Sequence, residues 1–99
     1  MKKVFLHGGL GKRFGREWKL SVSSPAEVAK ALFANDPTIE KYLIKKEGEG
    51  VFYGIKRDKE KGFVRPDELH LKKGGSFHVF PVPAGTGVGT LIFTAITTA

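Results

Sequence analysis

Apolar and polar positions alternate from the first residues. After the lysines of "KKVFLHG", Val4 and Leu6 fall on one face and Phe5 and His7 on the other, which predicts a short strand. In "REWKLSVS" the same period returns: Trp18, Leu20 and Val22 lie on one side, Glu17, Lys19 and Ser21 on the other. Between them "GGLGKRFG" is half glycine and predicts a hairpin turn.

The period then changes from two to that of a helix. In "SSPAEVAKALFAND", Val28, Ala29, Leu32 and Phe33 repeat along one helical face and Lys30 falls outside it. Ser24 can cap this helix, and Pro25 suits its first position, where a missing N–H leaves nothing unpaired. Glu27 follows Ser24 by three, as in a capping box. Asn35 and Asp36 before Pro37 end the helix. "TIEKYLIKKEGEG" predicts a second short helical turn, with Ile39, Tyr42 and Leu43 on one side.

Alternation resumes in "VFYGIKR", where Val51, Tyr53 and Ile55 share a face. A turn in "DKEKG" and a short segment after Pro66, with Leu69 and Leu71 placed to tuck under a sheet, lead to a last strand in "SFHVFPV". Pro81 and Pro83 limit how far that strand can lie inside a sheet. The order is strand, strand, helix, strand, short segment, strand. It predicts an α+β domain of the β-grasp (ubiquitin-like) class with one packed helix, over residues 1–83. Right-handed crossover places the last strand parallel to the first, in the middle of the sheet.

Charge separates the remainder. The chain has 99 residues with 17 Lys and Arg, 10 Asp and Glu and a net charge of +7, yet every one of these residues lies at or before Lys73. Residues 84–99 are predicted as an apolar Gly/Thr-rich C-terminal extension or the start of a linker. Within it Leu91, Ile92, Phe93 and Ile96 form a candidate partner interface. The Thr residues between them would also let the run add as an edge strand. No stretch reaches the roughly 20 apolar residues of a membrane span, and the N-terminus has too short an apolar run for a secretory signal. No cysteine is present, which excludes disulfides and thiolate metal sites within these residues.

The residue patterns point to no catalytic, cofactor or metal site. In the glycine segment "GK" is followed by Arg13 where a phosphate-binding loop needs Ser or Thr, and Gly15 comes one residue late for a dinucleotide fingerprint. His7, His70 and His78 are far apart and lack the usual ligand spacings. The serines have no nucleophile-elbow context. The basic residues are scattered, several beside acids, as on a solvated surface. The alternative function from charge is a nucleic-acid-binding β-grasp domain using Phe5, Phe14, Trp18 or Tyr53 as stacking platforms. "FHVFPVPAG" also resembles the end of small sulfur-carrier proteins, but they need a terminal Gly-Gly, whereas here Gly85 is followed by Thr86.

Taken together, "VFLHGGLGKRFG", "LSVSSPAEVAKAL", "VFYGIKR" and "FHVFPVPAGTGVGTLIFTAI" resemble, in order and spacing, the phage lambda-type tail assembly protein I family with its ubiquitin-like N-terminal domain. The resemblance implies a non-enzymatic protein that acts as an interaction module in building the tail tip. It implies other tail-tip proteins as partners, including the central host-recognition tail protein. It also implies a location in the host cytoplasm during assembly or in the virion tail. In that family the uncharged tail joins the ubiquitin-like domain to the rest of the protein.

Overall fold

A computed structural model describes residues 1–58, 64–72, 75–83 and 93. Strand β1 (Lys2–Leu6) is followed by helix α1 (Gly8–Phe14) and strand β2 (Glu17–Leu20). Two helices, α2 (Pro25–Asn35) and α3 (Thr38–Gly48), precede strand β3 (Val51–Arg57). A 3-10 turn (Pro66–Glu68) leads to strand β4 (Phe77–Pro83). The fold is α+β, with a four-stranded mixed sheet in the order β2-β1-β4-β3. Strands β1 and β2 pair antiparallel, β3 and β4 pair antiparallel, and β1 and β4 run parallel at its centre.

The glycine segment is a helix and not the expected turn. Leu10 is fully buried and Phe14, one helical turn on, packs against the core, so the segment has an apolar face. Glycine normally disfavours a helix by about 1 kcal/mol per residue. Here two glycines answer close approaches: a Cβ on Gly11 would stand 2.1 Å from the Leu6 carbonyl oxygen, and one on Gly9 would stand 2.6 Å from the Tyr42 hydroxyl. At Gly15, φ of 105° turns the chain out of the helix into β2.

Helix α2 begins as its sequence predicts. Ser24 Oγ accepts from the Glu27 N–H at 3.4 Å. The Glu27 carboxylate reaches back to Ser23 N–H at 2.8 Å, one residue before the cap. That hydrogen bond is the main reason the Glu27 carboxyl is held below its ordinary pKa. Two helices pack on the sheet where one was expected. Helix α3 runs for three turns because Asp36 accepts from its first-turn Thr38 N–H at 3.0 Å, and because Ile39 and Leu43 give it a fully buried edge. Val28, Ala29 and Leu32 of α2 join them over Val4, Leu6, Ile55, Phe77 and Val79 of the sheet.

Pro81 is accommodated because of where its nitrogen points. His7 N–H donates to the Val79 carbonyl, so alternate residues of β4 turn their amides toward β1. Pro81 faces that way too, but β1 has ended at Leu6, so no ladder bond is lost. After the 3-10 turn, Leu69 is half-buried against the core while Leu71 is 40% exposed, so only the first of the two leucines tucks under the sheet. Among the described residues no helix is long and apolar enough to cross a membrane.

Candidate functional site

The helices cover one face of the sheet. On the other face β1 places Lys3 and Phe5, β2 places Glu17 and Lys19, β3 places Lys56, and β4 places His78 and Phe80, as the strand registers require. His7, just past β1, continues the row. Phe5, His7, Lys56, His78 and Phe80 are all half-buried, whereas Val4, Leu6, Phe77 and Val79 on the opposite face are fully buried; farther along β4, Val82 is buried on the same face as His78 and Phe80.

Four rings form a continuous stack across the β1–β4 seam. Phe5 and His78 have centroids 4.9 Å apart, and His7 and Phe80 4.0 Å apart with planes only 5° from parallel. The two histidine rings lie diagonally between these pairs, with centroids 5.3 Å apart and planes 22° from parallel. Rings on neighbouring strands can be parallel at these distances only if they stand upright and face one another. Phe5 and His78 thus cover one face of each other's ring, as do His7 and Phe80.

The histidines are also joined by a hydrogen bond. His7 Nε2 lies 3.0 Å from His78 Nδ1, and His78 Nε2 lies 3.6 Å from the Asp58 carboxylate. A single tautomer pattern satisfies both contacts: His7 Nε2–H donates to His78 Nδ1, and His78 Nε2–H is turned toward Asp58. Burial, then His78 and the Arg16 guanidinium, hold the His7 imidazole below its ordinary pKa.

On the covered side Tyr53 is 4% exposed, and burial, reinforced by a hydrogen bond with Tyr42, pushes its phenol up to about 12. This fits Tyr53 as a core residue. Trp18 and Phe14 likewise pack against the core, so of the four aromatics considered as stacking platforms Phe5 alone lies on the open face.

In the C-terminal segment Phe93 is fully buried and meets the Phe33 ring edge-on at 5.8 Å. Leu91, Ile92 and Ile96 lie outside the described residues. His70 is exposed and does not join the other two histidines. Among the described residues no group of three or more His, Cys, Asp or Glu is placed to hold a metal ion.

Spacing along the chain hides the His7–His78 pair, because the residues are 71 positions apart. The signal available was the matching of the two outward-facing patterns, Phe5–His7 and His78–Phe80, once β1 and β4 are taken as parallel neighbours.

No family model, curated protein or solved structure matches the chain.

Proposed function

We propose that this chain is a β-grasp protein and a non-enzymatic interaction module of phage tail assembly, making its partner contact through the open face of the sheet. The observation that carries the contact surface is the Phe5–His78–His7–Phe80 stack. It is a half-buried aromatic stripe, flanked by Lys3, Lys19 and Lys56, on a face that no described helix covers. Ring edges and amphipathic imidazoles amid lysines suit a protein surface carrying apolar side chains and carboxylates. The sheet order β2-β1-β4-β3, with the last strand parallel to the first, supports the β-grasp assignment. The phage assignment rests on the sequence resemblance. It makes the tail-tip proteins, including the central host-recognition tail protein, the partners to try, and places the protein in the host cytoplasm during assembly or in the virion tail.

The test is co-purification with the tail-tip proteins encoded beside it, using the full chain and a Phe5→Ser, Lys56→Glu variant. Both side chains lie on the open face, so the variant leaves the helix-covered core intact. Capture by the parent chain and loss in the variant supports the assignment. Equal capture by both moves the contact off this face, and no capture by either removes the phage reading.

A second reading, binding of single-stranded nucleic acid, is favoured by Phe5 standing among three lysines on the open face. The Phe5–His78 stacking counts against it, since one face of the Phe5 ring is already taken and bases stack on ring faces. A mobility shift with random-sequence oligonucleotide that collapses with added salt would favour this second reading.

A further inference from the structure

Past the end of β1 lies a half-open cavity of about 310 Å³ lined by Phe5, Leu6, His7, Gly8, Lys12 and Arg16. Three of these residues are bases and none is an acid. Neither Lys12 nor Arg16 makes an ion pair with a described carboxylate.

The backbone holds these bases together. Leu6 N–H donates to the Arg16 carbonyl at 2.9 Å, which ties the start of β2 to the end of β1. Arg16 Cγ lies 3.4 Å from where a Cβ on Gly11 would stand, so the arginine stem runs across Gly11, the neighbour of Lys12. His7 closes the third side, with Nε2 committed to His78 and Nδ1 left to carry a proton.

Gathering like charges around a cavity without a counter-ion is unfavourable, and a bound anion relieves it. The groups facing His7 are His78 and, through it, Asp58 and Lys56 on the sheet, with Lys12 on α1 and Arg16 after it. The one carboxylate in that set sits on the far nitrogen of His78, away from the cavity. Burial, then His78 and Arg16, lower the His7 pKa, and an anion arriving beside the ring would act in the opposite direction by favouring its protonated form.

We propose that this cavity binds the phosphate group of a small phosphomonoester. Arg16 supplies a planar fork for two phosphate oxygens, Lys12 a point charge, and His7 a third donor once protonated. A phosphomonoester carries close to two negative charges near neutrality and exchanges its second proton near pH ~6, in the range where imidazole titrates. Phe5 supplies an apolar wall for the organic part. The cavity volume lies at the small end of the roughly 300–1,000 Å³ of small-molecule sites. This inference does not rest on the docking function, because it needs no protein partner.

The test is titration of the isotope-labelled full chain with phenyl phosphate, inorganic phosphate and a single-stranded oligonucleotide lacking terminal phosphates, followed by NMR. Saturable shifts are expected at the Gly8, Lys12 and Arg16 amides and the His7 ring. Phenyl phosphate should bind more tightly than inorganic phosphate, and saturation should raise the His7 pKa. Lys12 and Arg16 are exposed, so Lys12→Gln and Arg16→Gln should fold normally; each should weaken binding about tenfold, the loss of one hydrogen bond between charged groups. Shifts that do not saturate, or that persist unchanged in the double variant, would overturn the proposal. So would saturable binding of the oligonucleotide without that of phenyl phosphate, which would assign the basic groups to a nucleic-acid backbone.

Discussion

His7 Nε2 and His78 Nδ1 meet at 3.0 Å across the two parallel central strands, at the midpoint of a four-ring stack. The contact ties a proton equilibrium to the pairing of chain segments far apart in sequence.

Stability should therefore fall on mild acidification. The His7 pKa is lowered in the folded state, so the unfolded chain binds more protons at this position just below pH 6.5. The sign is fixed: the contribution of a neutral His7 is fully present above pH 6.5 and is lost as pH falls through the lower folded-state value. Urea unfolding across this range should show midpoints that fall as the pH is lowered. His7→Phe, which keeps a ring in the stack but has no proton to gain, should flatten that slope.

Helix α1 offers a glycine test with an internal control. Gly11→Ala would drive a Cβ to 2.1 Å from the Leu6 carbonyl oxygen, which is backbone and cannot step aside. We expect a loss of about 2–3 kcal/mol, measured by denaturant unfolding. A Cβ on Gly48, in the last turn of α3, would meet no described atom within 4 Å. Gly48→Ala should be neutral or stabilise by up to about 1 kcal/mol.

Arg57 is 3% exposed, with Nε and Nη1 buried and without hydrogen-bond partners among the described residues. Its remaining contacts are a hydrogen bond from Nη2 to the Leu71 carbonyl and the Phe77 ring, 5.0 Å from the guanidinium carbon. A buried charge held this sparsely is replaceable by an apolar side chain of similar length. Arg57→Met should keep or raise Tm, whereas Arg57→Ala, which leaves a void beside Phe77, should lower stability by about 2 kcal/mol.

The start of α2 should respond to both truncation and acid. Ser24→Ala removes the side-chain acceptor for Glu27 N–H and is expected to lose about 1 kcal/mol. The Glu27 pKa is lowered, chiefly by the Ser23 backbone hydrogen bond, so its contribution is present above the ordinary carboxylate value of 4.5 and disappears as pH falls through the folded one. Glu27→Gln should remove this part of the acid dependence, read as a shallower fall of Tm below pH 4.5.

The pattern of the chain was most informative where one local rule sufficed. Strand faces such as Val4 and Leu6, the Ser24–Pro25–Glu27 helix start, and the Val28–Ala29–Leu32 face all follow from period and capping chemistry, and each lies where its residues predict. The α1 helix was hidden because glycine's low helix propensity argues for a turn. The reasons for its glycines are the Leu6 carbonyl and the Tyr42 hydroxyl, contacts that exist only in the folded chain. Helix α3 was underestimated because its glycines at the C-terminal end obscured how much of its apolar edge the core takes up. The open-face row of rings was missed for a related reason: Phe5, His7, His78 and Phe80 acquire meaning as a group only when their outward-facing patterns are set side by side in the β1–β4 register.

The place of β4 between β1 and β3 has a consequence for how the protein is made. Until residues 77–83 have left the ribosome, the β1–β2 pair and β3 have no strand to join them, and Val4 and Leu6 lack Phe77 and Val79 beside them. Pairings this distant in sequence form slowly and leave strand edges bare in the meantime. Phe93, which meets Phe33 on α2, emerges later still. Synthesis thus delivers β1, β2 and β3 before the strand that joins them, and a chaperone encountering the nascent chain at that stage would find its binding site in the empty slot awaiting β4.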